Sequence, residues 1–321
     1  MNTKQGETKA QTRTLIRRIG FVLGVALLCA AAVYLITDPS AIRNLGSNIR
    51  HAPLWASVLV VFGPILNWIF VSQCLWALNR RHGLVGRGEM LALTGSAWLL
   101  NHLPMRPGLV GRIGYHAKVN GIRIRDSVEA SIWSMVHAAI ANVIGFGIAL
   151  LAGSEISVGR LVLLLMLPLA AILLLAVLAE TKSDQLGLMM RALLWRYADL
   201  LVWMLRYAAA FEMLGVQTTP IQIALVTAVS QIAQIIPITG GGIGFREWGV
   251  GLTATMTPGF TQIDMRTAVG ADVMNRIAET IIVVPLGLVC TAIVSRRFRA
   301  HMSKNSAETE SAEHQPAGHP E

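Results

Sequence analysis

QIIPITGGGIGFR at 234–246 and NHLPMRPGLVGR at 101–112 decide how this chain folds. Each interrupts a run of apolar sequence. In each, a Pro follows an amide side chain by three residues, Pro237 after Gln234 and Pro104 after Asn101. Glycines come next, and then an Arg, at Arg246 and Arg112. A long helical pattern lies on either side of both. Short segments broken by Gly and Pro in both halves of a membrane protein mark a translocation site built from discontinuous helices.

The membrane class rests on composition. Of 321 residues, 54% are hydrophobic and 14% are charged. A soluble domain carries about 25% charged residues. Several windows of roughly 20 apolar residues have the length a bilayer crossing needs. The net charge of +9 comes from Lys and Arg gathered at helix ends, as expected for cytoplasmic loops. Basic patches interleaved with aromatics are absent, so no nucleic-acid partner is expected. Cys29, Cys74 and Cys290 all fall inside apolar runs. They match no disulfide framework and no metal spacing, and are expected to pack against lipid or core.

Charge bias and apolar length predict an all-α polytopic protein with six full spans. These fall at about 18–37, 53–79, 127–152, 159–179, 193–215 and 267–292. Lys4, Lys9, Arg13, Arg17 and Arg18 place the N-terminus in the cytoplasm. Residues 89–104 are short for a crossing, and Arg106, Arg112, Lys118, Arg123 and Arg125 follow. A crossing would put those five cations outside; a re-entrant hairpin returns them to the cytoplasm. The segment 221–258 has to begin and end outside, so that the last span can finish at Arg296, Arg297 and Arg299. Span, hairpin and span therefore recur in opposite orientation, an inverted repeat with halves at about 53–152 and 193–292. The domain plan is a disordered cytoplasmic tail at 1–14, a transmembrane domain at 15–298 and a disordered cytoplasmic tail at 299–321. The compartment expected is the bacterial plasma (inner) membrane.

Candidate site residues come from the broken segments and the last span. Gly241 and Gly244 permit left-handed backbone and close ligand approach. A helix starting near Phe245 would turn its free N–H groups to an anion. Arg246, beside Glu247, would then hold a phosphate bidentately. Alternatively, the glycines let two half-helices pack closely and Arg246 pairs with an acid. Asn101, His102, Arg106 and Arg112 are the counterparts in the first segment, as substrate contacts or as edge charges and packing groups. Asp272, Arg276 and Glu279 share one helical face. They form either an ion-pair clamp or a setting in which Arg276 holds a lipid phosphate. Asp199 and Arg206 are expected to tie the fifth span to a hairpin. Asn67, Gln73, His137 and Asn142 are expected in interhelical hydrogen bonds. No metal, nucleotide or catalytic motif is present, and no cofactor is expected.

The string PITGGGIGFREWGV, with Asn101, Pro104, Gly108 and Arg112 and the Arg276–Glu279 helix, resembles the transmembrane region of lysylphosphatidylglycerol synthases. That flippase-like family also occurs as stand-alone membrane proteins. The resemblance covers about residues 15–298. It implies translocation of an aminoacylated lipid, without the soluble domain that makes it. It also implies that Pro237, Gly241, Gly244, Arg246 and Glu247 form the second-hairpin site, with Arg276 and Glu279 on the next helix. Family members often carry a charged pair on the equivalent first-half helix; here 133–137 read WSMVH, with neither Arg nor acid.

The function expected is translocation of a membrane lipid, an anionic phospholipid or a polyprenyl-linked headgroup. The substrate-binding set is Gln234, Pro237, Gly241, Gly244, Arg246, Glu247, Arg276, Glu279, Asn101, Pro104 and Arg112. One alternative is a membrane-embedded transferase on a lipid-linked substrate, with Glu247 or His102 as base. The other is an accessory subunit for a lipid-modifying or envelope-modifying partner enzyme.

Overall fold

The computed structural model describes residues 19, 22–37, 47–48, 50–103, 106–153, 156–235, 240–256 and 263–313. Among them every regular element is helical. The elements are α1 (Val22–Ile36), α2 (Leu54–Arg80), α3 (Arg87–Leu100), α4 (Pro107–Val119), α5 (Ile124–Ala152) and α6 (Val158–Glu180). They continue with α7 (Asp184–Met213), α8 (Pro220–Ile235), a 3₁₀ turn at Gly240–Gly242, α9 (Phe245–Met256) and α10 (Met265–Glu313).

Four helices are long and apolar enough to cross a membrane: α2, α5, Gly159–Glu180 of α6, and Met265–Lys304 of α10. The expected first and fifth spans take other forms. The first appears as α1, a shorter apolar helix. The fifth lies within α7, which has 30 residues but is not among those four. Arg196, Asp199 and Arg206 lower its hydropathy, and they tolerate the interior because α7 is the innermost helix. It packs along α2 and α6 and touches α5, α8 and α10. Prolines inside α2, α6 and α10, at Pro64, Pro168 and Pro285, leave each helix continuous. Neighbouring helices and local adjustment accommodate such prolines in membrane bundles.

The composition of 299–321 predicts no order, yet α10 runs on through 299–313. That stretch is rich in Ala, Ser and Glu and lacks Gly and Pro. It extends an existing helix, which needs no new nucleus. The expected tail at 1–14 and residues 314–321 lie outside the described residues.

Both broken segments are antiparallel helix pairs. In the first, Ala97 of α3 meets Gly108 of α4. Further from the tip, Glu89 Oε1 accepts a hydrogen bond from Asn120 Nδ2 at 3.1 Å. In the second, Ala233 of α8 meets Gly242, and Val229 meets Gly249 of α9. The neighbour pattern is nearly unchanged when α2, α3, α4 and α5 are exchanged for α7, α8, α9 and α10. As α3 packs on α10, α8 packs on α5; as α2 packs on α5 and α10, α7 packs on α10 and α5. A slight contact of α4 with α10 lacks a counterpart of similar size.

Glycine is required at the first tip by proximity. A Cβ on Gly108 would lie 2.6 Å from Ala97 Cα and 2.8 Å from its carbonyl carbon. Gly108→Ala is therefore expected to force α3 and α4 apart and to cost about 1–3 kcal/mol. Gly111→Ala, with nothing within 4 Å of the new Cβ, should be neutral or stabilising by up to about 1 kcal/mol. Thermal unfolding of the two purified variants checks the contrast; equal melting would refute the tight crossing.

Candidate functional site

The second tip needs glycine for its backbone. Gly241, Gly242 and Gly244 have φ of 58°, 74° and 82°, left-handed values that L side chains adopt at a cost. This turns the chain sharply from α8 into α9. Gly244 then donates its N–H to Glu247 Oε2 at 2.8 Å, capping the start of α9. Gly244 also sits against Gly24 and Leu27 of α1. Trp248 Nε1 donates to the Leu27 carbonyl at 3.1 Å, fixing α1 across α9.

The start of α9 delivers Arg246 and Glu247 to α10. Arg246 Nε reaches Asp272 Oδ2 at 2.9 Å, and its Nη1 reaches Glu279 Oε2 at 3.0 Å. Arg276 Nε pairs with Glu247 Oε1, and its Nη2 faces the Gly241 carbonyl at 3.4 Å. Tyr207 of α7 donates its hydroxyl to Asp272 Oδ1. Arg246 is 1% exposed, and Glu247 and Asp272 are fully buried. Asp272, Arg276 and Glu279 do share a face of α10. Their ion-pair partners, Arg246 and Glu247, are on α9, so they form a clamp between the two helices. Buried ions persist only when paired and hydrogen-bonded. Both carboxylates are already bound to Arg246, so its guanidinium acts here as a structural centre rather than an open phosphate contact.

The polar core continues into α7 and α2. Arg206, fully buried, donates from Nη1 to Asn67 Oδ1 at 3.0 Å and from Nη2 to the Asn275 carbonyl at 3.2 Å. Its guanidinium stacks 4.4 Å from the Trp203 ring. Asn67 in turn donates to Asp199 Oδ1 at 2.7 Å, and Arg196 pairs with Asp199 at 3.0 Å. Thus Arg206 ties α7 to α2 and α10, where the spacing suggested a tie to a hairpin. Arg206, Arg246 and Arg276 balance Glu247, Asp272 and Glu279, three charges against three.

A cavity of about 480 Å³ opens beside this core. Both broken segments line it. Asn101, His102, Arg106 and Arg112 line it from the first, and Gln234 and Gly241 from the second. Arg276 and Glu279 reach it from α10, and Arg196 and Asp199 from α7. Of its six formal charges, four are arginines and two are carboxylates. Arg196 is paired with Asp199, Arg276 with Glu247, and Glu279 with Arg246. That leaves Arg106 and Arg112 without a carboxylate partner among the described residues. Arg112 is 8% exposed. Its Nη2 donates to Ser131 Oγ at 3.0 Å, and its Nε has no partner among the described residues. Arg106 caps α4 with φ of 49°, a left-handed value for a residue that has a Cβ. At the tip, Asn101 Oδ1 accepts the Leu109 N–H at 3.2 Å.

No family model, curated protein or solved structure matches this chain.

Of the expected substrate-binding residues, the structure brings Asn101, Arg112, Gln234, Gly241, Arg276 and Glu279 to one cavity. Arg246, Glu247 and Gly244 stand behind it as clamp and cap. Pro104 and Pro237 lie outside the described residues. Sequence reasoning under-weighted Arg196 and Asp199 as cavity residues. Their signal was present: Arg196, Asp199, Trp203 and Arg206 recur at intervals of three and four, which puts one polar stripe on one face of α7. Asn142 joins α5 to α8 through Gln231 at 3.0 Å, the interhelical role expected of it. Among the described residues no cluster of His, Cys, Asp or Glu is arranged to hold a metal ion.

Proposed function

We propose that this chain carries an anionic lipid headgroup across a bacterial inner membrane, as a flippase-like transporter or facilitator. One observation carries the reading. Both broken segments line a single cavity in which Arg106 and the buried Arg112 have no carboxylate partner among the described residues. A buried cation without a counter-ion costs several kcal/mol, and an anionic headgroup entering the cavity would supply one. An ionisable group at membrane depth that lacks an ion-pair partner is a candidate for function. The headgroup is an anionic phospholipid or a polyprenyl-linked phosphate.

In this reading α1, α2, α5, α6, α7 and α10 cross the bilayer. The α3–α4 and α8–α9 pairs re-enter from opposite faces, both chain ends being cytoplasmic. The exchange symmetry of helix neighbours supports two repeat halves. The motif resemblance to the transmembrane region of lysylphosphatidylglycerol synthases is part of the same proposal.

Proteoliposomes containing the purified full chain test it. Fluorescent phosphatidylglycerol or phosphatidylcholine is followed by dithionite quenching. Protein-dependent loss of the protected half of the anionic probe, faster than that of the zwitterionic one, is expected. Quenching that stops at the outer leaflet for every probe, with folded protein present, would refute transport and turn attention to a transferase or an accessory subunit.

A further inference from the structure

A second hollow lies on the other side of the first hairpin. It holds about 610 Å³ between α3, α4 and the 291–299 stretch of α10, and its wall is mainly apolar. Three features distinguish it from an ordinary surface crease. Its α4 wall sets Gly108, Gly111 and Gly114 beside Tyr115. A Cβ on Gly111 or Gly114 would meet nothing within 4 Å, so these glycines leave open space rather than permit a protein contact. Its mouth carries Lys118 and Arg299, neither paired with a carboxylate among the described residues. Its inner end is Arg112, which also lines the central cavity. Arg112 is more than nine-tenths buried, and its Nε is unpartnered.

We propose that this groove seats one anionic membrane lipid, its acyl chain along the glycine wall of α4 and its headgroup between the basic mouth and Arg112. The inference rests on the transport reading for its purpose, since Arg112 would pass the headgroup from groove to cavity. The occupant is a lipid because the groove joins apolar length to cationic ends. A glycine wall alone would equally suit another helix. A partner helix would leave the buried Arg112 without an anion.

The test uses the wild-type chain in vesicles doped with phosphatidylglycerol bearing a diazirine in one acyl chain, and in parallel with the matching phosphatidylcholine. After photolysis, labelled peptides are mapped by mass spectrometry. Labelling of 108–118 and 291–299 should favour the phosphatidylglycerol probe on the order of tenfold, because phosphatidylcholine adds a choline cation that the basic groove repels. The Gly111→Leu/Gly114→Leu variant, which fills the groove and raises helix propensity, should lose that labelling. Gly88→Leu, on α3 outside the groove with open space around it, should keep it. The Lys118→Gln/Arg299→Gln variant should retain labelling and lose the headgroup preference. Labelling that ignores headgroup, or that persists in the filled groove, would overturn the proposal. So would a shift from dimer to monomer on filling, which would make a second copy the occupant. Flipping measured in the same vesicles separates the two ideas. Groove labelling without flipping sinks transport alone, and flipping without groove labelling sinks this site alone.

Discussion

Asp272→Ala is expected to be among the most destabilising single substitutions in this chain. It strips Arg246 of its closest carboxylate, at 2.9 Å, while Arg246 stays 1% exposed. It also leaves the Tyr207 hydroxyl without its acceptor. Removing one partner of a buried pair typically costs about 3–5 kcal/mol, because the remaining charge stays desolvated. Glu279→Gln should cost less. Its side chain is 16% exposed at the cavity edge, and Gln can still accept from Arg246. In detergent, the temperature at which half the protein leaves the monodisperse peak should fall by on the order of 10 °C for Asp272→Ala. A fall of under about 2 °C would mean that the α9–α10 clamp is not the centre of stability described here.

Arg112→Gln should spare the fold and impair movement of anionic lipid. Ser131 Oγ still donates to the Ser127 carbonyl at 2.9 Å, so no new orphan is created at that hydroxyl. What disappears is a buried positive charge that no carboxylate balances. Charge-assisted contacts are worth about 1.5–3 kcal/mol, or roughly 10-fold to 100-fold in rate if the contact strengthens as the headgroup passes. Arg112→Lys should recover part of the rate, keeping charge while losing the bidentate fork. The readout is the flipping rate of anionic against zwitterionic lipid at equal protein content. A wild-type anionic rate in Arg112→Gln, with the melting temperature unchanged, would remove Arg112 from the route.

Much of this arrangement was legible before any coordinates. Apolar length and charge marked a helical membrane protein, because the bilayer permits few other solutions. Pro and Gly clustered at 101–112 and 234–246 marked the two breaks, because together they remove helix hydrogen bonds and admit left-handed backbone, whereas a lone Pro at 64, 168 or 285 leaves its helix continuous. The i,i+4 and i,i+3 spacing of Asp272, Arg276 and Glu279 correctly grouped them on one face. Their partners were not legible. Spacing along α10 says nothing about which helix lies opposite. So whether Arg246 serves a ligand or a clamp was decided only by the approach of α9 to α10. The polar load of α7 was misleading for the converse reason. Hydropathy ranks a helix by exposure to lipid, and α7 is enclosed by protein. The helix through 299–313 escaped notice because tail composition reports on packing, whereas α10 needs only to propagate.

In the proposed topology the two broken helix pairs enter from opposite faces and line one cavity. Single cysteines placed at exposed positions flanking each pair test it most directly, in a chain with Cys29, Cys74 and Cys290 changed to Ala. Gly88 and Arg125 bracket the first pair, and Gln217 and Thr255 bracket the second; all four are exposed. An impermeant maleimide applied to intact spheroplasts is predicted to label Gln217→Cys and Thr255→Cys. Gly88→Cys and Arg125→Cys should label only after permeabilisation. If either pair splits, with one cysteine labelled in intact cells and the other only when opened, that segment crosses the membrane, and the account of two opposed re-entrant hairpins is wrong.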